Sequence, residues 1–421
     1  MSEQADVLII GAGPAGLSAA LAAANDGEQV VLLDDNPLPG GQIWRDGAQA
    51  NIPQQARHLR DSVEAHTHIQ RHAATRVVAK AGSQALLVEN PERGWVITYR
   101  SLILCTGARE LLLPFPGWTL PGVTGAGGLQ ALIKGGMPVV DERIVIAGSG
   151  PLLLASADTA KHHGAQVVRI AEQASLGAVA TFAMQLPRWP HKLLQSFSLF
   201  DAGYRTGTRI VAALGQDRLE GVRLQRGNKV EELACERLAC GFGLIPNAQL
   251  GQALGCALGN NAIQVDAWQA TDVAGVYAAG ECTGFGGSEL ALVEGRIAGH
   301  VAAGNREAAQ RLRGERQRWQ RFANSLNQHF ALDPALKRLA APDTLLCRCE
   351  DVPYAAVAAH ANWREAKLST RCGMGACQGK VCGAAAHYLF DWPPVAPRPP
   401  FTPTRIETLI QLESAPQSDP R

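Results

Sequence analysis

The sequence lacks the features that mark a secreted, membrane-spanning or nucleic-acid-binding protein. The net charge is close to zero, because 39 basic residues stand against 38 acidic residues. This balance does not indicate nucleic acid as a partner. No secretory signal is recognised, since the apolar run 7–24 follows acidic residues and contains glycines and a proline. The uncharged stretch 111–133 contains prolines that would break a transmembrane helix. We therefore expect a soluble, cytoplasmic protein. Any association with the inner membrane would occur through partner proteins.

The sequence also lacks the constellations that perform chemistry on a substrate. No CxxC pair occurs, so the redox dithiol of a disulfide reductase is missing. No Ser–His–Asp arrangement or pair of carboxylates stands out, and the eleven histidines are dispersed. The arginines of 306–321 are interpreted as a solvated helix face. No catalytic residue is therefore predicted, and we expect the chemistry of the chain to lie in the groups that it binds.

What is present is a pattern of strand, glycine-rich turn, helix and strand that occurs twice. The first copy has strands at 6–10 and 30–33 with a helix at 17–24, and the second has strands at 144–147 and 166–170. Hydrophobic residues make up 46% of the 421 residues, enough for two or three domains with their own cores. The pattern predicts an α/β fold with two dinucleotide-binding, Rossmann-like domains.

The first glycine-rich turn, Gly11-Ala-Gly13-Pro-Ala-Gly16, follows a strand and opens a helix. Gly11 allows the tight turn, Gly13 lets the backbone approach a pyrophosphate, and Gly16 lets helix and strand pack closely. The helix N-terminus offers free N–H groups and a positive dipole end to phosphates. Asp34, at the end of the second strand, is placed to accept hydrogen bonds from a ribose. These residues predict a dinucleotide site but do not distinguish FAD from NAD.

Three further motifs resemble the repeated signatures of flavoproteins with two dinucleotide-binding domains. They are Gly40-Gly41-Gln42, Cys105-Thr106-Gly107, and the segment 271–281 that ends in Gly280-Glu281. The resemblance implies that the first domain binds FAD and that Gly41, Gln42, Thr106, Gly107 and Gly280 belong to the site. It also implies that Glu281 hydrogen-bonds the ribityl–phosphate region, although Asp is the usual residue there. The FAD domain would then be discontinuous and resume after the inserted second domain.

In the second turn, Gly148-Ser-Gly150-Pro-Leu-Leu153, leucine stands where the third glycine is expected. A leucine there would hinder close packing of helix and strand. Glu172, at the end of the following strand, is a candidate to hold a ribose. Two interpretations stay open: the site binds NAD or another adenine nucleotide with altered packing, or it is a structural relic. We predict that it does not support rapid oxidation of NAD(P)H.

Four cysteines are paired near the C-terminus, as Cys347-Arg-Cys349 and Cys377-Gln-Gly-Lys-Val-Cys382. Close pairs of thiolates are what a four-thiolate metal site requires. Zinc in a tetrahedron of four thiolates is one interpretation. An iron–sulfur cluster is favoured because it is useful beside a flavin, and because glycines around the second pair would let backbone N–H groups approach sulfur. Cys372 lies outside both pairs and is interpreted as a bystander.

The cysteine motifs resemble a known ferredoxin-like module. Cys347-Arg-Cys349-Glu-Asp-Val and the segment 370–382 (TRCGMGACQGKVC) are similar to the bacterioferritin-associated-ferredoxin-like [2Fe–2S] domain. In particular they resemble the version fused to α subunits of heteromeric amine and amino-acid dehydrogenases: opine oxidase, hydrogen cyanide synthase, and proline or D-hydroxyproline dehydrogenase. The resemblance extends over nearly the whole chain, including the turn 148–154 and the segment 243–247. It implies FAD, one [2Fe–2S] cluster on the four paired cysteines, and a separate flavoprotein β subunit that oxidises the substrate, with or without a small ferredoxin-like subunit.

These inferences predict how the chain is divided. We expect an FAD-binding domain at 1–115 and 255–304, a second dinucleotide-binding-like domain at 116–254, a helical linker at 305–340, a [2Fe–2S] domain at 341–392 and an extended proline-rich tail at 393–421. The predicted function is electron transfer in a dehydrogenase for an amino acid or secondary amine of the proline, D-hydroxyproline or opine class. Two alternatives stay open: a self-contained NAD(P)H-dependent reductase of ferredoxin or rubredoxin, and a nucleotide-binding scaffold subunit with a structural metal held by four cysteines.

Overall fold

The computed structural model describes residues 2–48, 50 and 52–413, which form two compact units. Unit 1 comprises the described residues of Met1–Arg109, Pro246–Asn324 and Val395–Arg421, and unit 2 comprises Glu110–Ile245 and Ser325–Pro394. The cysteine-bearing segment therefore belongs to unit 2 together with the second dinucleotide-binding-like segment. The finer division into five segments stays a prediction.

The strands and helices of the described residues follow one another as an alternating α/β chain. In chain order the strands are β1 Ser2–Ile10, β2 Val30–Leu33, β3 Ile69–His72, β4 Arg76–Gly82, β5 Ala85–Glu89, β6 Gly94–Leu104, β7 Ala108–Glu110, β8 Val123–Gly125, β9 Arg143–Gly148, β10 Gln166–Glu172, β11 Tyr204–Arg205, β12 Thr208–Leu214, β13 Gly221–Arg226, β14 Lys229–Ala234, β15 Arg237–Gly241, β16 Leu244–Pro246, β17 Leu258–Gly259, β18 Ala262–Ile263, β19 Val276–Ala278, β20 Leu345–Cys347 and β21 Val352–Pro353. The α-helices are α1 Pro14–Asn25, α2 Gln54–Ala65, α3 Ala126–Lys134, α4 Leu152–His162, α5 Leu176–Gln185, α6 Pro190–Ser198, α7 Gln249–Leu254, α8 Gly287–Ala302, α9 Arg306–His329, α10 Tyr354–Ala358, α11 Trp363–Thr370, α12 Cys382–Phe390 and α13 Ile406–Leu409. Short 3-10 helices occur at Leu186–Arg188, Pro334–Arg338 and Ile410–Leu412.

The main sheet of unit 1 has the strand order β3-β2-β1-β6-β5-β4, and β19 also pairs with β6. The strands β3, β2, β1, β6 and β19 run parallel, whereas β4, β5 and β6 form an antiparallel meander. The register aligns Ile10 with Leu33 and with Leu104. The carboxyl ends of β1, β2 and β6 therefore meet at one edge of the sheet, which is where open α/β sheets bind ligands.

Small residues let helices α1 and α8 pack closely in unit 1. A Cβ on Gly295 would lie 2.1 Å from the carbonyl oxygen of Ala15, and one on Gly299 would lie 2.3 Å from that of Ala19. The Ser18 hydroxyl also donates a 3.0 Å hydrogen bond to the carbonyl of Leu292. The alanine-rich sequence of α1 is therefore a packing surface, and this contact holds the first turn of α1 against the segment that follows β19.

The second Rossmann-like sheet lies in unit 2 and has the order β11-β10-β9-β15-β8, with all neighbours parallel. The strands predicted at 144–147 and 166–170 lie within β9 and β10. Gly148 is aligned with Glu172 and with Gly241, so the second glycine-rich turn also begins at a carboxyl edge. A separate antiparallel sheet, β12-β13-β14, completes this part of the unit.

The cysteine-bearing segment folds around its own apolar cluster in unit 2. Strands β20 and β21 pair antiparallel, and helices α10, α11 and α12 surround buried side chains that include Leu346, Val357, Ala366 and Leu389. Cys347, Cys372 and Cys382 are part of this cluster. The short fold thus brings together cysteines that are far apart in sequence.

The proline-rich segment after the cysteine module has more structure than its composition predicts. The described part, 393–413, contains α13 and a 3-10 helix, and Phe401 packs against a core of unit 1. The backbone N–H of Phe401 also donates a 2.8 Å hydrogen bond to the carbonyl of Val78.

Among the described residues, no helix is long and apolar enough to cross a membrane.

Candidate functional site

Two of the three glycines in the first turn are required by the fold itself. Gly11 has φ +107°, and a Cβ there would lie 2.2 Å from the carbonyl oxygen of Cys105. A Cβ on Gly16 would lie 1.7 Å from the carbonyl oxygen of Gly11. Gly13 differs, because the nearest atom to a Cβ there is the Cα of Gly41, at 3.8 Å. Gly13 and Gly41 thus leave space beside the turn.

The N-terminus of α1 faces this space without a side-chain cap. Gly13 is the N-cap residue, and no side chain accepts a hydrogen bond from the first turn there. The uncapped N–H groups and the helix dipole are suited to an anion. Asp34 lies beside the turn, where its Oδ2 accepts a 2.5 Å hydrogen bond from the N–H of Ala12 and its Oδ1 accepts 2.8 Å bonds from Asn36. The Asp34 carboxylate therefore fixes the loop, and its contact with a ribose stays a prediction.

The loop after β19 brings Gly280 and Glu281 to the same place. A Cβ on Gly280 would lie 2.8 Å from the Cβ of Ala15, in the first turn of α1. Burial raises the pKa of Glu281, and no hydrogen bond or ion pair within the described residues satisfies its carboxyl group. A half-buried carboxyl group without a protein partner is a candidate to bind hydroxyl groups of a ligand.

Glu294 holds this loop through hydrogen bonds. Sequence analysis did not identify it. Its Oε2 accepts hydrogen bonds from the N–H of Gly280 at 3.2 Å and from the hydroxyl of Thr283 at 3.4 Å. Its Oε1 pairs with Nε of Arg316 at 3.1 Å. Burial raises the pKa of Glu294, and Arg316 opposes that shift. Arg316 is thus one member of the arginine-rich segment that is not a solvated side chain, since only 14% of it is exposed.

Asn247 holds Thr106 and Gly107 in place. Sequence analysis mentioned Asn247 only as the end of the segment 243–247 and gave it no role. The Thr106 hydroxyl donates a 2.6 Å hydrogen bond to the carbonyl of Asn247, and the Asn247 amide donates 2.9 Å to that of Thr106. Arg109 donates 2.8 Å to the Asn247 side chain, and burial lowers the pKa of Arg109. Gly107 has φ +66° with open space at its Cβ position.

Gln42, another predicted site residue, is exposed and accepts a 2.8 Å hydrogen bond from Arg45.

The residues of the first turn fit FAD. The uncapped helix N-terminus, the space at Gly13 and the unpartnered carboxyl group of Glu281 lie around one carboxyl edge of the sheet. The helix N-terminus suits a phosphate, and Gly13 suits the close approach of a pyrophosphate to the backbone. The carboxyl group of Glu281 suits the hydroxyl groups of a polyol. The assignment of individual residues to FAD stays a proposal.

The second glycine-rich turn is covered by the chain itself. A Cβ on Gly150 would lie 3.7 Å from the Cβ of Phe330, and the Ser149 hydroxyl donates a 2.9 Å hydrogen bond to the carbonyl of Phe330. Gln173 donates a 3.1 Å bond to the carbonyl of Ala331. Phe330 also stacks edge-on with Phe182 at 5.1 Å. The segment after α9 therefore packs against the second turn at Ser149 and Gly150.

Glu172 is engaged inside the protein. Its side chain is fully buried, and its two oxygens accept 2.8 Å hydrogen bonds from the N–H groups of Gly150 and Ala174. The Tyr204 hydroxyl donates a third bond at 3.2 Å. Burial raises the pKa of Glu172, and these bonds oppose the shift. The carboxylate thus stabilises the second turn, and its hydrogen bonds oppose a role in holding a ribose; whether this turn binds a nucleotide stays a prediction.

Leu153, in place of the third glycine, is accommodated by a glycine on the opposite strand. The Cδ2 of Leu153 lies 2.7 Å from the position that a Cβ on Gly241 would take. Gly241 and Gly148 also approach closely, since a Cβ on Gly148 would lie 2.0 Å from the carbonyl oxygen of Gly241. The bulk predicted to hinder packing is therefore compensated at Gly241, on the neighbouring strand β15.

The four paired cysteines line a single cavity of about 200 Å³ in unit 2. Its remaining walls are Leu112, Arg348 and Val381. Cys347 and Cys382 are buried, Cys377 is half-buried and Cys349 is exposed. The Arg348 guanidinium, between the first two cysteines, lies over the ring of Trp118 at 5.4 Å. Four thiols and one cation around a cavity fit an anionic thiolate-ligated metal group.

Backbone N–H groups point at the sulfur of Cys377. Partial burial opposes ionisation of Cys377, but hydrogen bonds from the N–H of Val381, the thiol of Cys349 and the N–H groups of Gly379 and Lys380 lower its pKa below the usual value. The nearby glycines have a second role that the sequence did not suggest. Gly373, Gly379 and Gly383 pack against the indole of Trp363, so the loop wraps around that ring.

Cys372 lies closer to the other cysteines than its place in the sequence suggests. The sulfur atoms of Cys347, Cys372 and Cys382 all lie within 4.8 Å of one another, and all three residues are buried. Cys372 does not line the cavity. The ligand set Cys347, Cys349, Cys377 and Cys382 stays a prediction.

Comparison with known proteins agrees with this architecture. Residues 5–307 match the family of pyridine nucleotide-disulphide oxidoreductases. The chain is 32% identical to hydrogen cyanide synthase subunit HcnB of Pseudomonas protegens, over 89% of each chain. It is also 32% identical to an opine oxidase subunit of Rhizobium meliloti, over 90% of each chain.

Solved structures give the same fold. L-proline dehydrogenase from P. horikoshii is 18% identical and matches with a TM-score of 0.66 over 97% of this chain and 80% of its own. Thioredoxin reductase of T. acidophilum is 20% identical and matches with a TM-score of 0.56 over 72% of this chain and 99% of its own. The predicted fold class and the predicted resemblance to subunits of heteromeric FAD dehydrogenases are confirmed.

Proposed function

Because the chain belongs to the pyridine nucleotide-disulphide oxidoreductase family and is an FAD-dependent oxidoreductase, we propose that it is the electron-transfer subunit of a heteromeric dehydrogenase. The observation that carries the proposal is the cavity of four cysteines in a chain that aligns along most of its length with named subunits. When bound, FAD accepts a two-electron hydride equivalent and a [2Fe–2S] cluster exchanges single electrons.

The residues around the first turn would hold FAD. The N-terminus of α1 meets the pyrophosphate, Gly13 and Gly41 leave room for it, and Glu281 binds the polyol region. Glu294 and Asn247 position the loops of Gly280 and Thr106. The alignment of nearly the whole chain with named subunits supports a division of labour in which another subunit oxidises the substrate.

The residues around the cysteine cavity are compatible with a cluster. Four thiols line it, and Arg348 at its wall would offset the negative charge of a thiolate-ligated group. Zinc held by the same four sulfurs at about 2.3 Å is the alternative. From the resemblance of the two cysteine pairs to a ferredoxin-like module, we propose a [2Fe–2S] cluster on Cys347, Cys349, Cys377 and Cys382.

The relatives supply the substrate class and the partner of this proposal. Opine oxidase and L-proline dehydrogenase act on amino-acid derivatives, as their names state. We propose an amino acid or secondary amine of the proline, D-hydroxyproline or opine class, oxidised on a flavoprotein β subunit, in the cytoplasm or at the inner membrane through partners. The same prediction includes a second adenine nucleotide and a small ferredoxin-like subunit. The contacts of Glu172 and Phe330 at the second turn oppose binding of the nucleotide. These contacts also oppose the alternative of a self-contained NAD(P)H reductase.

Iron analysis tests the cluster. The purified full chain should contain iron and acid-labile sulfide, and the reduced protein should give a [2Fe–2S] signal in electron paramagnetic resonance. Replacing any one of Cys347, Cys349, Cys377 and Cys382 with Ser should lower the iron content and leave FAD bound, because the two sites use different residues. Cys372→Ser and the control Cys235→Ser should keep the iron. Zinc without sulfide would refute the cluster and support the scaffold alternative.

Dye reduction tests the partner. The isolated chain should not reduce an electron-accepting dye with proline, D-hydroxyproline or an opine, because we propose that the flavin that oxidises the substrate is held by a separate β subunit. The complex co-purified with the products of neighbouring genes should do so with at least one of these substrates. Substrate-dependent reduction by the isolated chain at the rate of the complex would show that the division of labour is wrong.

A further inference from the structure

Trp118, in the loop between β7 and β8, contacts the cysteine-bearing segment of unit 2 in two ways. Its indole Nε1–H donates a 2.6 Å hydrogen bond to the carbonyl of Leu345, two residues before Cys347. The Arg348 guanidinium lies over the indole ring, 5.4 Å from its centroid, where the negative face of the ring attracts a cation. One buried side chain therefore contacts both the strand that leads into the first cysteine pair and the cation between the two cysteines.

The loop that carries Trp118 is fixed against β12. The N–H of Ala213 donates a 2.9 Å hydrogen bond to the carbonyl of Pro116. A Cβ on Gly117 would lie 2.1 Å from the carbonyl oxygen of Ala213, so the two backbones are in close contact. The N–H of Trp118 donates a 3.0 Å hydrogen bond to the carbonyl of Phe115. The indole is therefore held by its backbone as well as by its burial.

Arg348 is the charged side chain at the wall of the cysteine cavity. It lines the cavity together with the four paired cysteines, and the residue is also exposed to solvent. Among the described residues, no ion pair includes Arg348. Glu350, the acid nearest to it in sequence, pairs instead with Arg371 at 2.9 Å. The positive charge of Arg348 is therefore not neutralised by a carboxylate.

We propose that Trp118 is a positioning residue that holds the Arg348 guanidinium at the wall of the cysteine cavity, where its positive charge raises the reduction potential of the cluster. The inference rests on the proposed function, since it requires a cluster on the four paired cysteines. Reduction of a [2Fe–2S] cluster by the flavin adds one electron, and a nearby positive charge stabilises the added negative charge. Because Arg348 is exposed, salt screens this interaction.

Redox titration of full-length variants, followed by electron paramagnetic resonance, tests the charge. Arg348→Gln should keep wild-type iron and acid-labile sulfide and show a lower midpoint potential. At a fixed solution potential the ratio of reduced to oxidised cluster should fall several-fold, and a tenfold fall corresponds to about 59 mV for a one-electron couple. The difference from wild type should shrink in about 1 M salt, where the Debye length is about 3 Å. As a control, Arg364→Gln changes an exposed arginine of α11 that does not line the cavity, and it should leave the potential unchanged.

The same titration tests the role of Trp118. Trp118→Leu removes both the indole N–H and the ring, so it should lower the midpoint potential. Adding Arg348→Gln to this variant should change the potential little further, because Trp118 acts through Arg348. Trp118→Phe keeps an aromatic face for the guanidinium and should stay closer to the wild type. Arg348→Lys keeps the charge without the planar group that lies over the ring, so its potential should fall between those of wild type and Arg348→Gln.

Each part of the inference has a result that overturns it. An equal potential in wild type and Arg348→Gln, or loss of iron in Arg348→Gln, would show that Arg348 does not act through its charge. A wild-type potential in Arg348→Lys, or an undiminished effect of Arg348→Gln in the Trp118→Leu background, would leave Trp118 without a positioning role. If Trp118→Leu does not fold, Arg348→Lys still decides that role, because it changes an exposed residue.

The failure of the proposed function is distinguishable from these results. A wild-type chain without iron or sulfide refutes the cluster itself, whatever the variants do. A wild-type chain with a [2Fe–2S] cluster whose potential does not respond to Arg348→Gln refutes only the inference about Trp118 and Arg348.

Discussion

At Gly11 and Gly16 the backbone of the first turn leaves no space for a side chain, whereas at Gly13 it does. The distances of 2.2 and 1.7 Å to carbonyl oxygens are far below any tolerated contact, so these two glycines are conditions of folding. The 3.8 Å at Gly13 is an ordinary van der Waals distance. A side chain at Gly13 should therefore disturb a ligand rather than the fold, and the two roles can be separated by mutation.

We expect Gly13→Val to give a folded protein that has lost most of its FAD. The valine side chain would project beside the N-terminus of α1, where the backbone must approach the pyrophosphate. FAD binding should weaken at least tenfold, which corresponds to about 1.4 kcal/mol. Flavin absorbance per protein after purification measures this, and circular dichroism checks the fold. Full flavin content in a folded Gly13→Val protein would show that the first turn is not the FAD site.

Two other glycines provide the comparison for that variant. Gly314 lies within α9 with no atom within 4 Å of its Cβ position, so Gly314→Ala should keep FAD and stabilise the helix by up to about 1 kcal/mol. Gly16→Ala should fail to fold, because its Cβ would overlap the Gly11 carbonyl. Soluble, flavin-containing Gly16→Ala would contradict the packing described for α1.

Residues that act through neighbouring residues are the part of the site that the sequence did not predict. Gly11, Gly13 and Gly16 form a local motif, and the structure places them at one turn. Glu294 and Arg316 are separated by 22 positions and carry no motif, so their ion pair is visible only after α8 and α9 have packed. The charged, arginine-rich composition correctly indicated a helix at α9, but it does not reveal which arginine faces a buried carboxylate.

At the scale of elements, the second Rossmann-like turn has the strands and helix of a nucleotide site, and the segment after α9 packs against it. The sequence correctly predicted β9 and β10, because the alternation of buried strands and turns is local. It left two interpretations open at Gly150, since nothing in the turn indicates that Phe330, 180 positions later, lies over it. Tertiary packing therefore adds a contact that the local motif does not reveal, and occupancy of the second site stays a prediction.

We expect neither NADH nor NADPH to reduce the flavin of the isolated chain on a timescale of seconds. Phe330 covers Gly150, and the carboxylate of Glu172 is satisfied by backbone N–H groups and Tyr204. Stopped-flow mixing followed at the flavin absorbance band measures the rate, and dithionite, which needs no nucleotide site, should bleach the flavin as a control. Rapid bleaching by either nucleotide would restore the reductase alternative.

A ligand-binding measurement on the same protein gives an independent check of the second turn. A nucleotide that binds only the folded chain stabilises it by about 2.7 kcal/mol at a concentration of 100 Kd. NAD and AMP should produce no shift of the thermal midpoint, because the segment after α9 packs against Ser149 and Gly150. A shift that is abolished by Glu172→Gln would show that the buried carboxylate becomes available in solution.

At the scale of the whole molecule, the chain passes between its two units repeatedly. It leaves unit 1 after Arg109, returns at Pro246, leaves again after Asn324 and returns at Val395. The first two passages follow from the discontinuous FAD domain that the sequence motifs implied. The last was not expected, because a proline-rich composition predicts an extended segment but carries no information about where that segment binds.

The returning segment is attached to unit 1 through Arg405 and Thr408. Nε of Arg405 and the Thr408 hydroxyl donate hydrogen bonds of 2.8 and 3.0 Å to the same oxygen of Glu89, at the end of β5. Arg405 also donates 2.9 Å to the carbonyl of Asn90. Thr408 is fully buried and occupies the space over Gly94, where a Cβ would lie 2.4 Å from its methyl group. The segment is therefore an integral part of the β5–β6 hairpin's packing.

We expect Glu89→Gln to destabilise unit 1 by about 1.5–3 kcal/mol at neutral pH, the range for hydrogen bonds to a charged group. Burial of Glu89 opposes ionisation, but the hydrogen bonds from Arg405 and Thr408 and the charge of Arg405 outweigh it, so the pKa lies below the ordinary 4.5. A lowered carboxyl pKa means that the stabilisation is complete above 4.5 and is lost as the pH falls through the lowered value. The difference in thermal midpoint between wild type and Glu89→Gln should therefore be largest at neutral pH and shrink in acid. Glu92→Gln, an exposed carboxylate in the same turn, should change little at either pH, and a difference for Glu89→Gln that grows on acidification would mean that the ion pair does not stabilise the fold.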